Sequence, residues 1–149
     1  MTEDDLADEV IAHLSGVRRV LRRRLRGSLD GPALTATQVE LLRLVEASEG
    51  ISVSAAARSL HLAGNSVSTL VNQLTEAGYL RRETDPRDRR AARLFLTDAA
   101  VARLRAWRDG RAKVLGAALS ALPEADRQAI TRALPALRRL TRLLDEEGK

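Results

Sequence analysis

The chain has 149 residues, a net charge of +5 and no cysteine. That length suits one domain, 1–149, with a real core, and the lack of cysteine excludes disulfides, thiol redox sensing and thiolate metal sites. No apolar run reaches the ~18 residues of a membrane span, and the acidic opening MTEDDLADEV does not read as a signal peptide.

In chain order, Leu6, Val10, Leu14, Val17, Leu21 and Leu25 recur every three or four residues, the stripe of one long amphipathic helix. Glu3, Asp4, Asp5 and Asp8 suit its positive end, and Arg18, Arg19, Arg22, Arg23, Arg24 and Arg26 its negative end. The arginine run reads as a solvated face rather than a direct DNA contact. Residues from Gly27 to Pro32 supply a turn. Thr35 to Gln38 fits a capping box, and Leu41, Leu42, Leu44 and Val45 follow as core. Ser52 caps a short helix with Ala56 and Leu60 inward, and His61 stands at its end as a capping or surface residue.

The next helix spans Gly64–Ala77. At about 100° per residue, Val67, Leu70, Val71 and Leu74 fall on one side. Asn65, Thr69, Asn72 and Glu76 point the other way, flanked by Ser66, Ser68 and Gln73. An ordinary solvated face carries more Lys, Arg and Glu; this one has a single Glu and no cation. Short amide and hydroxyl side chains let a helix enter a major groove and bond base edges or phosphates. Asn and Gln pair best with adenine, so base readout is expected to lean towards A·T.

Thr84-Asp85-Pro86-Arg87 is a turn sequence. Arg81–Arg93 holds six Arg against three acids, and Leu94 and Leu96 alternate with Arg93 and Phe95 as in a half-buried strand. A basic hairpin beside a groove-sized helix can reach phosphates or a minor groove. Thr97 then caps a long helix to about Leu119, whose apolar positions include Val101, Leu104, Trp107, Val114, Leu115 and Ala118. Leu122-Pro123-Glu124 starts another, striped by Ile130, Leu134, Leu137, Thr141 and Leu144. Pro135 interrupts that stripe; an interior proline costs about 3 kcal/mol, which predicts a kink near 131–135.

The order LTATQVELLRLV, SVSAAARSLHLAGNSVSTLVNQLTEAGYLRR, DPRDRRAARLFLT resembles the MarR family of bacterial transcription regulators over about Leu6 to Leu144. DPRDRR followed by a strand ending in Leu-Thr is the most specific mark. The resemblance implies a mainly α fold with a small β wing: a winged helix-turn-helix at 33–97, flanked by dimerisation helices at 4–27 and 98–146. It implies that Asn65, Ser66, Ser68, Thr69, Asn72 and Gln73 face DNA with Arg87, Arg89 and Arg90 of the wing, which Asp85 and Asp88 brace through salt bridges. Ala63 departs from the Ser or Thr of many members, leaving first-turn amides to donate to a phosphate, with Ser66 assisting from inside the turn.

The expected function is a homodimeric regulator of the repressor type, cytoplasmic and nucleoid-associated, on a pseudo-palindromic duplex. A small-molecule inducer of unidentified chemistry or another signal would release it, with His13, Val17 and residues near Trp107 lining a family-type pocket. The alternatives are an architectural duplex-coating protein, against which the polar groove face argues, and a helical protein-interaction module, against which the wing argues. No catalytic constellation and no phosphate loop stand out, and His13 and His61 lack ligand spacing, so no enzyme, metal or cofactor is expected. Three scattered aromatics argue against single-strand or RNA binding. Basicity itself, carried by 23 Arg and two Lys, supports a nucleic-acid partner only weakly.

Overall fold

The computed structural model describes residues 1–26 and 31–147. The chain forms two compact units, Met1–Arg111 and Ala112–Lys149. The first contains α1 (Glu3–Leu25), α2 (Ala36–Ala47), α3 (Val53–Leu60), α4 (Gly64–Glu76), β1 (Leu80–Thr84), β2 (Ala92–Leu96) and the start of α5 (Asp98–Ala121). The second contains the rest of α5 and α6 (Glu124–Glu147). The fold is mainly helical with one small antiparallel wing.

The helix starts follow the caps in the sequence. Thr35 Oγ1 accepts the Gln38 backbone N–H at 3.2 Å, and Gln38 Oε1 accepts the Thr35 N–H at 2.9 Å. Thr2 and Asp5 form the same reciprocal box at α1. Ser52 Oγ accepts from Ala55 N–H at 3.1 Å and Thr97 Oγ1 from Ala100 N–H at 3.2 Å. Each removes an orphan donor of a first turn. His61 ends α3 with a left-handed backbone (φ 52°), so it is the C-cap. Pro135 lies inside α6 without ending it. Of the turn expected from Gly27 to Pro32, residues 27–30 lie outside the described residues; Gly31 has φ +93°.

The core of the first unit is the set of stripes read from sequence. Leu41, Leu42, Val45, Ala56, Val67, Val71, Leu74 and Leu94 are essentially inaccessible, and Leu44, Leu60 and Leu70 pack at its edge. Three helices thus bury one face each against the inner side of the wing.

The wing is larger than a hairpin. β1 and β2 pair with Leu80 opposite Leu96 and Thr84 opposite Ala92. On the far side of β2, Ser52 bridges Arg93, Gly50 N–H donates to the Leu94 carbonyl at 2.9 Å, and Leu94 N–H to the Ile51 carbonyl at 3.0 Å. Residues 50–52, expected only as the approach to α3, therefore form a short third rung. They protect an edge that would otherwise present unpaired backbone groups.

Candidate nucleic-acid interface

α4 is held firmly on its inner side. Val67, Val71 and Leu74 are buried. Its C-terminus closes through Gly78 (φ +78°), with Tyr79 N–H donating to the Leu74 carbonyl at 2.8 Å. The left-handed step at Gly78 is one that other residues adopt at a cost. Thr97 Oγ1 donates to the Gly78 carbonyl at 2.6 Å, fixing the helix end to the start of α5.

The outer face is polar. Asn65, Ser66, Thr69, Asn72 and Gln73 are exposed and Ser68 is half-buried. Ala63 makes no side-chain cap. The side chain that reaches a first-turn amide is Asn65 rather than Ser66: its Oδ1 accepts the Ser66 N–H at 2.9 Å. Thr69 Oγ1 donates to the Asn65 carbonyl at 3.0 Å. Two neighbours not expected from sequence reach this face. Arg82 of β1 donates to Asn72 Oδ1, and Gln38 Nε2 of α2 donates to Gln73 Oε1 at 3.1 Å. The sequence marked Gln38 only as a cap and Arg82 only as a wing cation; their reach depends on how α2 and β1 flank α4.

The wing tip explains the Asp spacing. Asp85 Oδ1 accepts the Arg87 N–H at 2.8 Å, and Asp88 Oδ1 the Arg90 N–H at 2.9 Å. These are two successive Asx turns, in which a short carboxylate reaches the amide two residues on. Main-chain bonds from Asp88 N–H to the Asp85 carbonyl (3.2 Å) and from Ala91 N–H to the Asp88 carbonyl (3.0 Å) complete them. Asp85 also pairs with Arg93 Nε at 3.0 Å. The Arg87 N–H, then the Arg93 side chain, hold its carboxyl below the usual carboxylate range. Asp88 makes no ion pair among the described residues; its short side chain is spent on the backbone instead. Arg87, Arg89 and Arg90 are exposed and take part in no ion pair among the described residues. Arg81 stacks over Phe95 with its guanidinium carbon 5.0 Å from the ring centre and pairs with Glu83.

A cavity of about 680 Å³ lies among α1, α2 and α5 of the first unit. Val17 and Trp107 line it, as expected; His13 does not, and its Nδ1 lies 2.7 Å from the Glu9 carbonyl of its own helix. The walls are aliphatic, while the polar lining includes Arg18, Arg22, Arg43 and Arg111 against the single acid Glu40. Arg111 Nε is buried without a hydrogen-bond partner. Burial, then the charges of Arg43 and Arg108, lower the basicity of Arg111. Beside the cavity Arg108 grips Glu46 through two hydrogen bonds, at 2.7 and 3.0 Å. Among the described residues no cluster of His, Asp and Glu suits a metal ion, and no helix is long and apolar enough to cross a membrane.

Residues 34–91 match the model of the MarR family. The fold is shared along nearly the whole chain with solved structures. RV1404 from Mycobacterium tuberculosis superposes with a TM-score of 0.81 at 19% identity, covering 93% of this chain and 94% of that one. FabT from Streptococcus pneumoniae, solved in complex with DNA, gives 0.75 at 17% identity over 96% and 99%. A MarR family protein from Bacillus stearothermophilus gives 0.72 at 18% over 95% and 99%. No curated protein sequence matches the chain.

Proposed function

We propose, from the MarR-family identity of residues 34–91 and the regulator fold around them, that the chain is a homodimeric, duplex-DNA-binding transcription regulator of the repressor type. The observation that carries this is the pairing of an exposed, cation-free amide and hydroxyl face on α4 with a wing tip bearing three arginines that form no ion pair among the described residues. Such a face suits base edges and such a tip suits phosphates or a minor groove. The DNA complex of the FabT structure supports the same use of the fold. In this reading Asn65, Ser66, Ser68, Thr69, Asn72 and Gln73 lie in the major groove, Arg87, Arg89 and Arg90 contact the backbone or minor groove, and the protein works on the bacterial nucleoid.

The dimer is inferred from exposed aliphatic side chains. Leu6, Leu14 and Val17 of α1 are 49%, 54% and 49% exposed, and Leu134 and Leu144 of α6 are 45% and 65% exposed. Stripes of that kind mark an interaction surface, and the same stripes on a second copy related by a two-fold axis would cover them. Two reading helices then meet half-sites centred about 10 base pairs apart or a close multiple. The inducer is inferred to occupy the α1–α2–α5 cavity, whose aliphatic walls and arginines fit a small amphipathic anion. Chemistry is no part of this reading.

The test is selection of bound sites from random duplexes at near-physiological salt, with light scattering at micromolar concentration. A palindromic consensus and a dimer are expected. Leu137→Asp and Leu14→Asp should lose dimer and operator binding together, because each places an unpaired charge in the interface. A monomer that still protects both half-sites refutes the proposal.

A further inference from the structure

The groove-facing amides of α4 are not free rotors. In each, the carbonyl oxygen is taken by a donor that cannot change roles. Asn65 Oδ1 accepts a backbone N–H, that of Ser66. Asn72 Oδ1 accepts from Arg82, a side chain that carries donors only. Gln73 Oε1 accepts from Gln38 Nε2. Both partners in that last bond are amides, which could in principle exchange ends. They do not, because Gln38 Oε1 is committed to the Thr35 backbone N–H as the returning arm of the α2 capping box. A backbone N–H only donates, so the Gln38 oxygen faces Thr35 and its nitrogen faces Gln73. The cap of α2 thereby sets which end of a side chain on α4 points outward.

Asn65, Asn72 and Gln73 therefore keep NH₂ groups that make no hydrogen bond among the described residues, on the exposed face. Thr69 has spent its proton on the Asn65 carbonyl and is the acceptor there. A bidentate grip on adenine needs an amide oxygen and nitrogen side by side against one base edge, the oxygen taking N6–H and the nitrogen giving to N7. An oxygen held by a neighbour in its own protein keeps its second lone pair, but it no longer turns freely to lie beside the nitrogen against that edge. An NH₂ group suits the acceptors of the major groove, which are guanine O6 and N7, adenine N7 and thymine O4; of these, O6 and O4 stand where adenine and cytosine carry amino groups, so only they discriminate.

The geometry points to Gln38 and Arg82 as positioning residues that determine base specificity: they orient Gln73 and Asn72 to offer donors, so that α4 selects guanine and thymine oxygens over the amino groups of adenine and cytosine. This rests on the DNA-binding reading above, and it replaces the lean towards A·T that amide composition alone suggests. Neither residue needs to touch a base. Arg82 also places a cation beside a helix face that has none of its own.

Site selection with the wild type, Gln38→Glu and Arg82→Leu tests this, scored as the affinity ratio at each base position. Glutamate is itself a capping-box residue, so Gln38→Glu keeps an acceptor for Thr35. It offers Gln73 only oxygen, which draws the Gln73 nitrogen inward and presents its oxygen to DNA. At one position per half-site, preference should change from guanine or thymine to adenine or cytosine, by roughly threefold to tenfold for a single hydrogen bond. The added negative charge weakens all duplexes alike and leaves ratios untouched. Arg82→Leu frees both atoms of Asn72, and preference at a different position should move to adenine. If folded variants select the wild-type consensus, or the wild type already favours adenine at both positions, the positioning role is refuted while DNA binding stands. If the wild type selects no sequence at all, the DNA-reading function fails first and this inference with it. Arg82 is exposed on β1, so its variant decides alone where Gln38→Glu does not fold.

Discussion

The wing arginines offer a prediction whose size can be worked out. Arg87, Arg89 and Arg90 are exposed and have no ion-pair partner among the described residues, whereas Arg93 is tied to Asp85. Replacing Arg87, Arg89 or Arg90 by Ala leaves the tip intact, because its Asx turns use the Asp carboxylates and the backbone N–H groups of residues 87 and 90. Only the cation is lost. Each phosphate contact contributes about 0.9 to the slope of log affinity against log salt. Over a fourfold rise in salt, one contact is thus worth about 3.5-fold in affinity, and the matching pair in a dimer about 12-fold. Fluorescence anisotropy on one duplex at four or more salt concentrations measures this directly. Variants at phosphate-contacting positions should weaken specific and scrambled duplexes alike and flatten the slope. Arg93→Ala should act differently, by releasing Asp85 and loosening the tip. If Arg87→Ala, Arg89→Ala and Arg90→Ala all leave affinity and slope within error, the wing is not a DNA contact.

Three further outcomes follow from the same geometry. Leu74→Ala empties a site with no solvent exposure between α4 and the core and should cost about 2–5 kcal/mol in urea unfolding; a cost below about 0.5 kcal/mol would contradict its placement. The Asp85 carboxyl is held below its ordinary value, so its bracing is present above the unfolded-state pKa of about 3.9 and is lost as pH falls through the lower folded value. Amide hydrogen exchange at Arg87 should accordingly show an acid transition below about pH 4 that Asp85→Asn abolishes, and a transition persisting in that variant would assign it elsewhere. A Cβ at Gly78 meets nothing within 4 Å although φ is +78°, so Gly78→Ala should destabilise by about 1 kcal/mol through the backbone alone, with Gly78→Asn recovering part in thermal melts.

Much of this architecture was legible because period and caps agree along the chain. The α4 stripe of Val67, Val71 and Leu74, the Thr35–Gln38 box and the Thr97 cap all follow from local spacing, and local spacing is what a sequence displays. Features that depend on a distant partner were not legible. Residues 50–52 become a rung only because β2 lies alongside, and nothing in Gly50-Ile51-Ser52 announces it. DPRDRR was visible as a turn, but the division of labour between its acids was not: Asp85 has Arg93 within reach, and Asp88 bonds only the backbone among the described residues. The bonds that hold the Gln73 and Asn72 oxygens come from Gln38 and Arg82, one 35 positions away from its partner and the other 10. Composition named a type of side chain there and left its polarity open.

The core also bears on what the flanking helices are for. Its buried members all lie between Leu41 and Leu104. Among the described residues α1 adds only Leu25 to the buried set, and α6 adds none. The stretch from Leu41 to Leu104 therefore closes its own core, and the flanking stripes are not needed to complete it. A helix with an aliphatic stripe and no buried position gains little in water from propensity alone. Its burial has to come from a surface outside that core. If a second copy supplies that surface, as proposed, dimerisation and the ordering of α1 and α6 are one equilibrium. A charge such as Leu137→Asp should then abolish two-half-site binding while the first unit keeps its near-native core, seen as an unchanged fluorescence environment for buried Tyr79. Loss of that core in the same variant would instead mean that α6 supports the core directly.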